Sequence, residues 1–151
     1  MAVAAGAVCA AVTVALCLWP TVSKDFPENR ERLEIVERVI DGDTIVITGG
    51  ERIRLAGVDA PPLYARDGSG RRAKEFLENL CPPGSPISVD PDDLAGRDRY
   101  GRLLAVIYAQ SSSGPVNVNA EVLKSGNATI LLIPPTEFNP YVWMADNEHD
   151  C

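Results

Sequence analysis

The chain has 151 residues and a formal net charge of −7, room for one domain around a single hydrophobic core. Four cysteines and one histidine, none at metal-ligand spacing, exclude a zinc module, and His149 reads as a solvated residue of a polar tail. The acidic balance disfavours indiscriminate binding to nucleic acid, yet 13 of the 14 basic residues lie between Lys24 and Arg102, so any phosphate-binding face belongs to that part of the chain.

No side chain from Ala2 to Trp19 is charged, and 18 such residues make a helix of about 27 Å, close to the thickness of a bilayer core. A core helix would need a polar face, which this run lacks. There is no basic region before it, and Thr21-Val22-Ser23 is a passable cleavage site. Residues 1–23 therefore read as a signal peptide or an N-terminal membrane anchor, and either one places the domain outside, secreted or held on the outer face of the cell membrane. Ala15-Leu16 before Cys17 makes a poor lipidation site, which leaves Cys81 and Cys151 for the folded part. Residues 24–32 are polar and read as a linker, and 33–151 as the domain.

Short β-type runs follow. Leu33–Ile40 and Thr44–Thr48 are rich in Val and Ile, and Gly49-Gly50 turns the chain into a third strand, Glu51–Val58. Ala73, Phe76, Leu77 and Leu80 repeat at helical spacing within Gly70–Leu80, and Cys81-Pro82-Pro83-Gly84 ends that helix. Two more strands, Ile87–Asp90 and Leu103–Ala109, flank a charged turn at Gly96–Arg102. Val116–Gly126 reads as a second helix. Asn127-Ala128-Thr129 matches a glycosylation acceptor, although an Asn that tolerates left-handed geometry after a helix explains it better. The expected fold is α+β and mainly β, a five-stranded OB-fold barrel with two or three short helices behind an apolar N-terminal segment.

The chemistry-bearing residues fall in three places. Asp41-Gly42-Asp43-Thr44 joins the first two strands, Val58-Asp59-Ala60-Pro61 ends the third, and Asp98-Arg99-Tyr100-Gly101-Arg102 forms the charged turn. Strand ends joined by a tight hairpin can bring Asp43 and Asp59 together. Two close carboxylates repel unless a cation sits between them, and Ca²⁺ tolerates few protein oxygens plus water. Arg54 lies five residues before Asp59. A guanidinium grips two phosphate oxygens at once and stays charged, so Arg54 and Arg102 beside a cation suit a phosphoryl transition state.

Val39-Ile40-Asp41-Gly42-Asp43-Thr44, Arg52-Ile53-Arg54-Leu55-Ala56-Gly57-Val58-Asp59-Ala60-Pro61, Ala73-Lys74-Glu75-Phe76-Leu77, Asp98 to Ala105 and Val116 to Gly126 together resemble the staphylococcal nuclease (thermonuclease) family in order and spacing. The resemblance runs from about Glu34 to Ile133. It implies an OB-fold, Ca²⁺-dependent nuclease that hydrolyses DNA or RNA phosphodiesters, with single-stranded or flexible nucleic acid as partner, acting as a monomer. By the same resemblance, Asp43, Asp59 and the backbone carbonyl of Ala60 are the metal ligands. Arg54 and Arg102 are the catalytic arginines, and Arg99 and Tyr100 hold the terminal phosphate and nucleotide.

Where the family has its general base, a Glu, this chain has Pro62, which accepts no proton. Loss of a general base costs about 10²–10⁴ in rate. Asp67 is the candidate substitute, while Glu51 or Glu75 would need a coincidence of the fold. Leu132 and Pro134 stand where the family has stacking tyrosines, and the chain ends where a longer C-terminal helix usually follows, leaving Phe138, Tyr141 and Trp143 to cover the barrel. Two functions are compatible with this pattern: a nuclease with weakened water activation, or a non-catalytic OB module that binds nucleic acid.

Overall fold

The computed structural model describes residues 32–145. The apolar segment and most of the expected linker therefore lie outside the described residues. Among the described residues no helix is long and apolar enough to cross a membrane.

The described residues form eight strands and three helices in the order β1 (Arg32–Asp41), β2 (Thr44–Ile47), β3 (Arg52–Leu55), β4 (Val58–Asp59), α1 (Ser69–Leu80), β5 (Pro86–Pro91), β6 (Leu103–Ser111), β7 (Gly114–Asn117), α2 (Val118–Lys124), β8 (Thr129–Ile130) and α3 (Pro140–Ala145). The first strand serves two partners. Its Arg32–Ile35 half pairs antiparallel with β5, and from Val36 it pairs with β2 through two register shifts. Such irregularities bend a strand and raise its twist, which is how a sheet curls towards closure. The circuit β1-β2-β3-β6-β5 then closes by a parallel pairing of β3 with β6, Ile53 opposite Leu103 and Leu55 opposite Ala105. This is the expected five-stranded barrel.

Val36, Ile45, Ile47, Ile53, Leu55, Ile87, Val89 and Ile107 fill the barrel, and Leu77 of α1 and Val122 of α2 join the same core. Burying one such side chain contributes about 1.5–3 kcal/mol. Helix α1 packs over the β1–β2 turn, where a Cβ on Gly42 would meet those of Ala73 and Ala60 at 2.5 and 2.7 Å. Only a glycine at position 42 lets helix, turn and site loop come this close.

Three details depart from the sequence reading. The third strand is split, because Gly57 takes φ of 75° and turns the chain between β3 and β4. The second helix begins at Val118 rather than Val116. Gly114–Asn117 instead pairs back on β6, and the Asn117 side chain caps the helix by accepting the Ala120 N–H at 3.0 Å. Of the three aromatics expected to cover the barrel, Trp143 packs on the core, while Tyr141 stays exposed. Helix α3 has six residues, so Pro140 and Trp143 face inward and their neighbours face solvent.

Candidate functional site

The acids and Arg54 form one knot. Asp43 is buried at the start of β2, and its Oδ1 accepts from the Thr44 hydroxyl at 3.0 Å and lies 3.2 Å from Arg54 Nε. Its Oδ2 accepts the Ala60 N–H at 2.8 Å, which draws the end of β4 against the β1–β2 turn. The buried Arg54 guanidinium donates to the Leu55 carbonyl at 3.0 Å and to that of Val58, and approaches Asp59 Oδ1 at 3.4 Å. The chain turning at Gly57 thus wraps one guanidinium, which satisfies two carbonyls that the split strand leaves unpaired. Burial pushes the Asp43 pKa above the ordinary carboxylate value, against the pull of Arg54 and the Ala60 hydrogen bond.

Asp59 differs from Asp43. Its side chain is 55% exposed against 9% for Asp43, so one carboxylate is held by the protein and the other faces water. Together with the main-chain carbonyl of Ala60 they make a donor set of hard oxygens. Oxygen donors of this kind suit a divalent cation of the Ca²⁺ type with water completing the shell, although only two carboxylates take part and no group of three or more acidic, His or Cys side chains gathers among the described residues.

Arg102 reaches the same knot from the charged turn. Its Nη1 donates to the Thr44 hydroxyl at 3.1 Å, and Thr44 also bonds Asp43. Its Nε donates to Asp98 Oδ2 at 2.7 Å, while Asp98 Oδ1 takes the N–H groups of Tyr100 and Arg102 at 2.9 and 3.0 Å. Burial raises the Asp98 pKa, but these three hydrogen bonds outweigh it and hold the group below the ordinary carboxylate range. The Arg99 and Arg102 guanidinium carbons lie 4.8 and 5.4 Å from the centre of the exposed Tyr100 ring.

The four residues of the sequence motif, with Arg99 and Tyr100, therefore converge. Arg54, Arg99, Tyr100 and Arg102 line one side of a cavity of about 570 Å³ whose other wall is aliphatic, with Leu94, Leu131, Leu132, Ile133 and Pro134. That wall is fastened by Asp92, a buried carboxylate that accepts from Leu94 N–H at 3.0 Å, Ala95 N–H at 2.9 Å and the Thr136 hydroxyl. Thr44, Asp92 and Asp98 escaped the sequence reading as site residues, although Thr44 and Asp98 stood inside the quoted motifs.

Pro62 lines a second, smaller cavity of about 240 Å³ together with Asp59 and Ala60, so position 62 shares a pocket with the exposed carboxylate of the candidate site. Its carbonyl accepts the Ala65 N–H at 2.9 Å. The candidate substitute base is otherwise engaged. Asp67 Oδ1 accepts both the N–H and the hydroxyl of Ser69 at 3.0 and 2.7 Å, and these bonds hold its pKa below the ordinary value. A carboxylate so stabilised is a weak proton acceptor. Glu51 is bound by Arg32 and Arg97, and Glu75 is exposed on α1.

Comparison with known proteins gives a consistent picture. A family model described as staphylococcal nuclease homologue matches residues 52–148. The chain is 37% identical to endonuclease YhcR of Bacillus subtilis over 129 residues, 77% of this chain and 10% of that protein. It is 32% identical to protein MJ1439 of Methanocaldococcus jannaschii over 64% of this chain and 58% of the relative. It is 28% identical to the thermonuclease of Staphylococcus intermedius, over 87% of this chain and 83% of the relative. The chain thus spans a tenth of YhcR and somewhat over half of MJ1439. From the match of the family model and the barrel that carries these side chains, the chain belongs to the staphylococcal nuclease homologue family.

Proposed function

We propose that this domain hydrolyses phosphodiester bonds of DNA or RNA with Ca²⁺ as cofactor, slowly because position 62 offers no general base. The observation that carries the proposal is the convergence of Arg54 and Arg102 on Asp43 and Thr44, with both arginines lining a cavity of about 570 Å³. The apolar core cluster contains none of these charges. A buried Asp43–Arg54 pair costs more in desolvation than a hydrophobic pair of the same volume, so it reads as a functional rather than a stabilising feature.

Asp43, Asp59 and the Ala60 carbonyl would hold the cation. When bound, it supplies charge neutralisation and Lewis-acid polarisation at a phosphoryl oxygen. Arg54, fixed by the Leu55 and Val58 carbonyls, and Arg102, fixed by Asp98 and Thr44, would oppose the negative charge that grows on the phosphoryl group. Arg99 and Tyr100, on the exposed turn, would take a neighbouring phosphate and sugar. The aliphatic wall of Leu132 and Pro134 gives a base apolar contact in place of aromatic stacking. Single-stranded or flexible nucleic acid is the substrate such an open cavity takes, with the domain acting as a monomer, exported or tethered through residues 2–19.

The competing reading is a non-catalytic module that keeps the cation and phosphate contacts, and Pro62 is the observation that favours it. Digestion of labelled single-stranded DNA by the full chain, with Ca²⁺ or with chelator, separates the two. Slow cleavage that chelator stops and Asp43→Asn abolishes is expected. Tight binding without any cleavage would establish the binding module instead.

A further inference from the structure

The turn that carries Arg99, Tyr100 and Arg102 is joined to the barrel through the bridge between Arg97 and Leu103, the two residues that enclose it. The Leu104 N–H bond to the Gly96 carbonyl at 2.9 Å and the Asp98 N–H bond to the Arg102 carbonyl at 3.0 Å close its base, and Arg102 meets Thr44 on β2. Arg97 ties the turn in two further directions. Its Nη1 donates across the turn to the Gly101 carbonyl at 3.0 Å, and its Nη2 donates to Glu51 Oε1 in the β2–β3 hairpin. The second Glu51 oxygen accepts from Arg32 at the start of β1, so both oxygens of this one carboxylate are used. Glu51 also stands immediately before β3, the strand that carries Arg54.

From this geometry we infer that Glu51 is a positioning residue: through Arg97 it sets the place of the Arg99–Arg102 turn relative to β3, and so the spacing of the two phosphate-facing arginines. The inference rests on the phosphodiesterase reading of the site. Ion pairs as open as Glu51–Arg97, with the Arg97 side chain 52% exposed, contribute little to folding. Their geometric effect is larger, because a displacement of about 1 Å at a reacting group costs up to about 10²-fold in rate. Burial raises the Glu51 pKa but the bonds from Arg97 and Arg32 outweigh it, so the carboxylate keeps its charge at neutral pH.

Glu51→Gln in the full chain tests this in two ways. Without any substrate, amide hydrogen exchange across residues 98–102 should quicken about tenfold while that of β1 to β3 is unchanged. Equal exchange in the turn overturns the brace, whether or not the protein cuts DNA. With single-stranded DNA and Ca²⁺, kcat should fall about tenfold, and the same change in an Arg102→Lys background should cost less than about twofold, since its target is already gone. A merely structural role would give the same additional loss in both backgrounds, and that result would also overturn the inference. The exchange and the DNA arms fail independently, so an inactive wild type with a loosened Glu51→Gln turn refutes the cleavage reading and not the brace.

Discussion

Arg54 and Arg102 point at the same place but are held by opposite means. Arg54 is 10% exposed, wrapped by the chain that turns at Gly57, and its donors are spent on two carbonyls and two carboxylates. Arg102 is 22% exposed on a turn that projects from the barrel, held by Asp98, by Thr44 and at second hand by Glu51. One guanidinium is fixed by burial and belongs to the folded interior. The other is fixed by a network of part-buried bonds at the edge of the barrel. The two guanidinium groups proposed for one task are thus held at separable costs.

That contrast breaks if the two arginines respond alike to removal. Arg54→Ala leaves Asp43 buried without its partner and strands two carbonyls, so it should destabilise the fold by about 3–5 kcal/mol in urea unfolding as well as abolish cleavage. Arg102→Lys removes the planar fork but little buried contact. It should lower kcat by about 10²–10³ while changing stability by less than about 1 kcal/mol, measured on the same preparation by steady-state kinetics and unfolding. Comparable stability losses in both variants would show that the turn is part of the folding unit.

A smaller effect sharpens the comparison through pH. Folded, Asp98 keeps its proton off to lower pH than it does unfolded, because the Arg102 and Tyr100 hydrogen bonds outweigh its burial. Between those two values the unfolded chain binds more protons, so stability rises with pH there. The contribution of Asp98 is complete above the ordinary carboxylate range and lost as pH falls through the depressed folded value. The stability difference between wild type and Asp98→Asn should therefore shrink as pH drops from about 5 to about 3, followed by urea unfolding.

The barrel was legible in the sequence because its signals are local: alternating Val and Ile, Gly49-Gly50 at a hairpin, and Ala73, Leu77 and Leu80 at helical spacing. Strand β7 was not, since Val116-Asn117 fits both a strand end and a helix start, and only pairing with Tyr108 and Ala109 decides it. In the candidate site, the order along the chain pointed to Asp43, Arg54, Asp59 and Arg102, and the structure puts Arg54 against both acids and Arg102 against Thr44. What fixes them was hidden. Thr44 meets Arg102 across 58 positions and Glu51 meets Arg97 across 46, and nothing in the spacing of such distant residues marks the contact. Asp67 read as a candidate base, and only the hydrogen bonds from Ser69, at the start of α1, show that the carboxylate is engaged.

The central proposal is that cation and phosphate machinery are in place and only water activation is weak. Pro62→Glu puts a carboxylate beside Asp59 and leaves Arg54 and Arg102 untouched. Single-turnover cleavage of single-stranded DNA, with saturating Ca²⁺ and with affinity measured separately, compares it with wild type. A rate increase of about 10²–10⁴ at unchanged affinity is the expected result. Equal rates in the two proteins would contradict the assignment of position 62 and with it the reading of the site as a nuclease that lacks only its base.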